Sequence, residues 1–464
     1  MTTLRAPDRL TVGSPTFQRI TYPLQQQRTE ELEIGRLRVW KKRVGDRVRA
    51  TGVARRVVRA LFLRSLGDRL PEAAPFFRAD GPAALLEPLL YARGPARVRR
   101  RRTRSCDVVF VAPGVAPELV KDMVVLRRLE PQLRCVVLTM HAGPNDALAG
   151  SLAELRGWRT LGELATELAS LEARSLVATC RGSSRYALAP GVLWSGRFVY
   201  RPYPFAHRES DGRLDALEAE SERWVLNRAD AVYHFFADEA VDGLRAQLGF
   251  RCPAAAIPPA CVPELGPSAV RERLASLDGG PHVAYVAGFN RRGEQLAPYL
   301  ETLPAKLGSL LEAGYHVHVY GRGASADDFH ESLAEVVSHP CFHVEPPRAF
   351  DKLLDELTAY DWGFYDFDID RVGMRPGFER FASNGFYTYL QAGVPVIVSP
   401  TTPTYTELTE RFGAGLVFAG APEALGAALA QVDAEAARAG AVQAREHLVV
   451  DERRLHEVVF GAGG

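Results

Sequence analysis

The stretch 381–400, FASNGFYTYLQAGVPVIVSP, contains residues suited to binding an anion. Ser383 is a good N-cap, because its hydroxyl can accept from the free backbone N–H groups of the following turn. Gly393 suits the opposite cap, and Pro395 cannot continue the helix. An apolar run typical of a buried parallel strand follows, formed by Val394, Val396, Ile397 and Val398. A helix of about two to three turns therefore leaves free N–H groups and a positive dipole end near Ser383 and Asn384. We predict that an anion binds at this helix N-terminus.

Strands and helices alternate through most of the chain. Apolar runs predict strands at 107–113, 135–141, 176–180, 198–202 and 230–236, with amphipathic helices between them. After a linker-like, Pro- and Ala-rich segment, strands are predicted at 282–289, 315–321, 341–347, 361–367 and 394–400. This order favours an α/β fold of two doubly wound, Rossmann-like domains that face each other across a cleft.

We divide the chain into four regions on this pattern. They are a basic, mainly helical extension at 1–104, an N-terminal Rossmann-like domain at 105–260, a C-terminal Rossmann-like domain at 268–425 and terminal helices at 426–464. The linker-like segment covers 252–267. At 464 residues the chain is too long for one ordinary core, which agrees with two or three units.

The net charge of +1 conceals a strong asymmetry. Residues 1–104 carry 24 Lys and Arg against nine Asp and Glu, a net charge of +15. The other 360 residues carry 33 against 47, a net charge of −14. A basic head on an acidic body favours an anionic partner such as lipid, nucleic acid or a charged substrate.

Two parts of the basic head indicate different partners. The segment 52–70 surrounds Val57, Leu61 and Leu66 with arginines, which is typical either of an amphipathic helix on an anionic membrane or of a helix packed on its own domain. The arginine run at 97–105 suits either phosphate groups or a solvated linker. No interleaved aromatic residues accompany it, so we expect no nucleic-acid partner.

Cysteine usage and hydropathy indicate the compartment. The six cysteines are scattered without a C-x-x-C pair, which predicts reduced, mostly buried thiols. No run of about 18 apolar residues occurs, and the first residues lack the apolar core of a secretory signal. We expect a cytoplasmic protein, with peripheral contact at the inner face of the membrane as the alternative that the basic head leaves open.

Five motifs, in order, resemble GT-B glycosyltransferases of the retaining, group 1 or family 4-like type. The first is ADAVYHFFADEAVDGLR with IPPACVPEL, which is similar to the segment joining the two domains. AYVAGFNRRGE and HVYGRG resemble the first two strands of the nucleotide-sugar-binding domain. HVEPPRAFDKLLDELTAYDWGF and SNGFYTYLQAGVPVIVSP resemble its later helix and strand and its nucleotide-binding helix. The resemblance covers roughly residues 105–455.

The resemblance implies a nucleotide-sugar site at the predicted anion-binding helix. The residues it places there are Gly288, Asn290, Arg291, Arg292, Gly321, Arg322, Ser383, Asn384 and Thr388. Backbone donors and guanidinium groups suit a diphosphate. His141 and Glu379 would orient the sugar, although a loop histidine bonded to backbone remains the alternative at position 141. The resemblance implies a glycan, lipid-linked or small-molecule acceptor and no cofactor or required metal beyond the donor.

The sequence departs from the family pattern at the nucleotide helix. Relatives usually carry two glutamates spaced eight apart, and Arg380 and Thr388 stand at these positions, with Glu379 beside the first. A subgroup has a lysine where this chain has Gly385. Threonine cannot replace a carboxylate as a bidentate acceptor for ribose. Two alternatives therefore stay open: a catalytically inactive binding or regulatory partner, and a nucleotide-sugar epimerase.

The acidic motif DFDID places Asp366, Asp368 and Asp370 at alternate positions. This spacing suggests either a metal site or an acidic loop at a strand end. Arg371 and Gly377 stand where a calcium loop needs glycine and glutamate. We predict an acidic loop and no metal site.

Overall fold

The computed structural model describes a large part of the chain beyond its basic head. The described residues are 104–158, 161–181, 187, 190–191, 194, 196–203, 222–223, 225–235, 241–242, 245, 249–286, 301–320, 331–365 and 382–461.

A seven-stranded parallel sheet forms the N-terminal half. Its strands are β2 (Val108–Gly114), β3 (Cys135–His141), β4 (Ala153–Gly157), β6 (Ser175–Arg181), β7 (Arg197–Tyr203), β8 (Ala231–His234) and β9 (Ala254–Ala256). They lie in the order β4-β3-β2-β6-β7-β8-β9. Two short strands, β1 (Arg104–Ser105) and β5 (Leu171–Glu172), pair separately. The five strands predicted in this half are confirmed.

A six-stranded parallel sheet forms the C-terminal half. Its strands are β10 (His282–Val286), β11 (His316–Tyr320), β12 (Phe342–Glu345), β13 (Trp362–Tyr365), β14 (Val396–Val398) and β15 (Gly415–Val417). The order β12-β11-β10-β13-β14-β15 reverses direction at β10, which is the doubly wound arrangement. The five strands predicted here are also confirmed.

Five strands fall where the sequence predicted none, namely β1, β4, β5, β9 and β15. β9 lies inside the segment 252–267, so the linker interpretation is wrong for residues 254–256. Its three alanines pair with β8 at the edge of the sheet, where small side chains need little cover. β15 pairs with β14 and is only three residues long, too short to show an apolar period.

Helices cover the sheets and close the chain. Those with described ends are α1 (Pro117–Leu129), α2 (Asp146–Gly150), α3 (Leu161–Ala169), α4 (Ala275–Asp278), α5 (Leu303–Glu312), α6 (Ala334–Val337), α7 (Phe350–Leu357), α8 (Asn384–Ala392), α9 (Pro403–Phe412), α10 (Leu425–Leu429), α11 (Ala434–His447) and α12 (Glu452–Phe460). The predicted helical tail after Pro422 is confirmed. No helix in the described ranges is both long and apolar enough to cross a bilayer.

The two halves share an apolar cluster and several polar contacts. A continuous cluster of buried side chains runs from β2 and β3 to α7, α8 and α12. The segment that joins the halves is held by Gln391 of α8, whose amide accepts from the N–H of Val262 and donates to its carbonyl, both at 2.8 Å. After α11 in the C-terminal half, the chain returns, and Arg197 of β7 donates to the carbonyls of Val458 and Val459 in α12. These contacts hold α8 against the joining segment and α12 against the N-terminal sheet.

The described cysteines agree with the sequence. Five have described side chains and form no disulfide among themselves; Cys106, Cys135 and Cys261 are buried. Burial raises the pKa of Cys106 to about 11, which keeps this thiol protonated and unreactive at neutral pH.

Candidate functional site

The helix α8 has the caps that the sequence predicted. Ser383 has extended backbone, and its Oγ accepts from the N–H of Gly385 at 3.2 Å. Gly393 ends the helix in the left-handed conformation, with φ 70° and ψ 32°, and β14 begins three residues later. The Ser383 cap accepts from only one of the free backbone N–H groups of the first turn. The other N–H groups and the positive end of the helix dipole therefore remain at this terminus.

Aromatic side chains enclose the first turn of α8. The hydroxyl of Tyr405 accepts from the N–H of Ser383 at 2.7 Å, and its ring stacks on Phe386 with centroids 4.7 Å apart. A Cβ added to Gly385 would lie only 2.7 Å from Cε2 of Tyr365. Glycine is therefore needed at 385, which explains why this chain has no lysine there.

Asn384 and Thr388 lie one turn apart on the same side of α8. The Thr388 hydroxyl donates to the backbone carbonyl of Asn384 at 2.8 Å and accepts from its Nδ2 at 3.3 Å. The single hydroxyl proton of Thr388 is thus used inside the helix. Asn384 Oδ1 is buried and has no hydrogen-bond partner within the described ranges. An unpaired acceptor therefore stands one turn before the position where relatives carry glutamate.

Tyr389 joins α8 to the carboxyl ends of β10 and β13. Its hydroxyl accepts from the N–H of Val286 at 2.7 Å and lies 3.1 Å from the carbonyl of Ala284 and 3.0 Å from that of Phe364. The ring passes over Gly363, where an added Cβ would lie 2.2 Å from Cδ1 of Tyr389. Burial raises the pKa of Tyr389 far above its usual range, so the hydroxyl stays protonated.

The N-terminal sheet supplies the opposite side of the cleft. The amide of Asn145, in the loop after β3, donates to the carbonyl of Val115 at 3.0 Å and accepts from the N–H of Phe350 at 2.8 Å. It thereby caps α7 from the other half of the molecule. Next to α8, the N–H of Ala382 donates to the carbonyl of Phe235 at 2.7 Å. The carboxyl ends of the two sheets therefore meet at these loops.

His141 is the last residue of β3 and is exposed. It stands opposite Gly114 at the end of β2, four residues before Asn145. Thr139 Oγ1 donates to its carbonyl at 3.1 Å, whereas its imidazole makes no hydrogen bond to a residue that the structure describes. The ring is thus free to contact a molecule in the cleft.

The described ranges contain only part of the predicted site. They include His141, Ser383, Asn384 and Thr388, three of which share the start of α8. The predicted residues Gly288, Asn290, Arg291, Arg292, Gly321, Arg322 and Glu379 lie outside them, as do Arg380, the DFDID motif and the segments 52–70 and 97–103.

The sequence did not indicate three residues that support the candidate site. Asn145, Tyr389 and Tyr405 were not singled out, yet each holds a backbone group next to the cleft. Asn145 follows a predicted strand end, which was a usable signal. The partners of the two tyrosines lie on separate elements, 22 or more residues away, and no local pattern gives such pairings.

Comparisons with known proteins agree on the fold. No protein-family model and no curated protein matches the chain. Among solved structures, sucrose-phosphate synthase (tll1590) from Thermosynechococcus elongatus is 12% identical, with a TM-score of 0.52 over 76% of this chain and 95% of that one. WaaG, a glycosyltransferase involved in lipopolysaccharide biosynthesis, is 14% identical, with a TM-score of 0.52 over 76% and 100%. Anabaena Alr3699/HepE in complex with UDP-glucose is 13% identical, with a TM-score of 0.54 over 76% and 98%. The chain therefore has the GT-B fold.

Proposed function

We propose that this protein is a glycosyltransferase that moves a sugar from a nucleotide-sugar donor to an acceptor. The observation that carries the proposal is the start of α8, a capped helix N-terminus placed at the cleft between two doubly wound sheets. Helix N-termini favour phosphate groups, and ligands of such folds bind at the carboxyl ends of the strands. The likeness to the GT-B structures of WaaG and Alr3699/HepE supports the same choice.

The donor would bind mainly to the C-terminal half. Its diphosphate would face the first turn of α8, and the guanidinium groups of Arg291 and Arg292 would add charge-assisted hydrogen bonds. Asn384 Oδ1, which has no partner in the described part of the chain, is an acceptor suited to a ribose hydroxyl. Alr3699/HepE was crystallised with UDP-glucose, which makes UDP-linked hexoses the first donors to test.

The chemistry would rest on charge stabilisation and positioning. The leaving diphosphate gains negative charge in the transition state, and donors aimed at it stabilise that charge without a reorganisation cost. His141 and Glu379 would orient the sugar, and the N-terminal half would hold the acceptor. We propose retention of the anomeric configuration from the family resemblance, and a transfer reaction that requires no metal or further cofactor.

Isothermal titration calorimetry with a panel of nucleoside diphosphates tests the donor site. One of them should bind, and whichever of Arg291→Ala and Arg292→Ala removes the phosphate contact should weaken binding by about 1.5–3 kcal/mol. Both variants must first show unchanged circular dichroism. If every nucleotide fails to bind, the alternative of a binding or regulatory partner without catalysis replaces the enzyme.

Mass spectrometry of donors separates the two enzyme classes. A transferase should release nucleoside diphosphate and form a glycosylated acceptor, whereas an epimerase would convert the donor to an isomer with no acceptor present. Unchanged mass and altered chromatographic retention of the donor would favour the epimerase.

We also propose peripheral contact between the basic head and an anionic membrane, where a lipid-linked acceptor would be found. Each basic residue near such a surface contributes about 1 kcal/mol. Co-sedimentation should be strong with anionic vesicles at low salt, weak with neutral vesicles, and reduced by Leu61→Glu. Protein that stays in the supernatant with anionic vesicles at low salt would contradict the proposal.

A further inference from the structure

Four histidines form a cluster on one face of the six-stranded sheet. They come from three adjacent strands: His282 from β10, His316 and His318 from β11, and His343 from β12. The strand register pairs His282 with His316 and His318 with His343. The rings of His282 and His316 stack with centroids 4.6 Å apart, and those of His318 and His343 with centroids 4.4 Å apart.

This histidine cluster lies away from the proposed donor site. His282 and His316 are the first residues of their strands, whereas α8 contacts the carboxyl ends. Five residues of strand separate the two edges, or about 16 Å. The proposed transfer reaction therefore uses none of these histidines.

Three side chains at this edge offer metal-ligand atoms to one point. The carboxylate of Asp278, at the end of α4, lies 3.0 Å from Nε2 of His282. A ring nitrogen of His316 completes a group whose ligand atoms all lie within 4.8 Å of one another. A Cβ built on Gly280 would lie 3.2 Å from Nε2 of His316, so this atom faces the turn that carries Asp278.

The hydrogen bonds behind these ligands orient their rings. Nδ1 of His282 lies 2.9 Å from Nε2 of His318, and Nδ1 of His318 lies 2.9 Å from Oε1 of Glu345. Nδ1 of His316 lies 3.1 Å from Nε2 of His343. In both candidate ligand rings the Nδ1 atom therefore has a partner behind it, and Nε2 faces Asp278. Metal-binding histidines are usually held in this way.

Asp278, His282, His318 and Glu345 form a series of side-chain contacts, and the number of N–H groups in this series leaves room for a cation. The series has three short contacts, at 3.0, 2.9 and 2.9 Å. Two carboxylates donate nothing, and two imidazoles with one N–H each satisfy two contacts, so the third contact takes either a further proton or a metal ion. With N–H groups on Nδ1, His282 donates to His318 and His318 donates to Glu345. The contact left over is the one between Nε2 of His282 and Asp278.

We propose that Asp278, His282 and His316 bind a divalent first-row transition metal, for which Zn²⁺ is the probe. Two neutral imidazole nitrogens and one carboxylate oxygen suit Zn²⁺, and three protein ligands leave a fourth position for water. The metal would tie the turn after α4 to β10 and β11. The Asp278 side chain is 44% exposed, which gives the ion a path to the site.

Zinc titration of the chelator-treated full chain tests this proposal. Calorimetry and thermal denaturation should show a site that Asp278→Asn and His316→Ala each weaken by about tenfold or more. Glu345→Gln should weaken binding less, because it removes only the support of His318. His447→Gln, which changes an exposed histidine in α11, is the matched control and should bind as the wild type does.

The variants separate this site from other histidines of the chain. Zinc that binds equally to the wild type, Asp278→Asn and His316→Ala would overturn the proposal, and so would the absence of binding to the wild type. Asp278 is exposed, so Asp278→Asn should fold even if substitution of the buried His282 does not. Nucleotide binding should be unchanged in Asp278→Asn, which keeps the outcome independent of the proposed transfer activity.

Discussion

The two edges of the six-stranded sheet are held by polar groups of different charge. At the carboxyl edge, neutral hydroxyls of Tyr389 and Tyr405 bind backbone groups around α8. At the amino edge, carboxylates meet a guanidinium or an imidazole: Asp361 lies 3.5 Å from Arg273, and Asp278 lies 3.0 Å from His282. The amino edge therefore places its carboxylates beside basic groups, and the proposed metal would complete the contact between Asp278 and His282.

The difference shows how a site can remain available for a negatively charged ligand. A neutral, rigid support leaves the helix dipole of α8 without a fixed counterion among the described residues, so an incoming diphosphate would supply the negative charge. A carboxylate in the same place would compete with that ligand. Because different residues hold the two edges, we also predict that a substitution at one edge leaves ligand binding at the other edge unchanged.

The largest expected effect follows from filling the space between β13 and α8. Gly363→Val places a branched side chain where even a Cβ would lie 2.2 Å from Tyr389 Cδ1. Overpacking of this kind should cost about 3 kcal/mol of unfolding free energy and displace α8. Urea denaturation measures the loss, and nucleotide affinity should fall in the same variant while zinc affinity stays.

Gly308→Ala is the matched control for this change. Gly308 lies within α5, and an added Cβ there meets nothing within 4 Å. Alanine should raise the unfolding free energy by about 0.5–1 kcal/mol, because it is the better helix former. If Gly363→Val were as stable as the wild type, the tight contact between α8 and β13 would be wrong.

A smaller loss should follow from removing one hydroxyl. Tyr389→Phe keeps the ring but leaves the part-buried N–H of Val286 without its partner and removes the contacts with two buried carbonyls. An unsatisfied buried donor should cost about 1–3 kcal/mol of unfolding free energy. Equilibrium urea denaturation checks this value, and a change below about 0.5 kcal/mol would show that the hydroxyl does not brace the edge.

His141→Ala tests the cleft from the N-terminal half. The ring is exposed at the end of β3 and has no described hydrogen bond to lose, so stability should be unchanged. If the imidazole orients the sugar, turnover should fall by about tenfold, or 1.4 kcal/mol, with nucleotide affinity unaltered. Steady-state kinetics with calorimetry separates the two. Equal turnover of His141→Ala and the wild type would show that His141 is an ordinary loop residue.

Local sequence signals predicted the elements better than their contacts. The start of α8 at Ser383 and its end at Gly393 were predictable, because caps and breakers are coded within a few residues. The histidine cluster was not predicted, although His282, His316 and His343 each lie at or near the start of a predicted strand. Their proximity depends on the register of β10, β11 and β12, which pairs these histidines 34 and 25 positions apart.

The roles of Asn384 and Thr388 show the same limit. The family pattern indicated position 388 as the ribose contact, but its hydroxyl proton is used by the carbonyl one turn earlier. Only the three-dimensional structure shows that Asn384 Oδ1 is an acceptor without a partner among the described residues.

The smallest expected effect decides between these two residues. Asn384→Ala should weaken binding of the preferred nucleoside diphosphate by about fivefold, near 1 kcal/mol, which is the usual net value of one hydrogen bond. Thr388→Val, whose hydroxyl is already bonded within α8, should change affinity by less than about twofold.

A double-mutant cycle with deoxyribose analogues makes the assignment specific. If Asn384 Oδ1 accepts from a ribose hydroxyl, the analogue lacking that hydroxyl should bind the wild type about fivefold more weakly. It should then lose nothing further on Asn384→Ala, because the same contact has already been removed. Additive losses would place Asn384 away from the ribose. A loss confined to Thr388→Val would restore position 388 as the ribose contact, and would mean that α8 rearranges when the nucleotide binds.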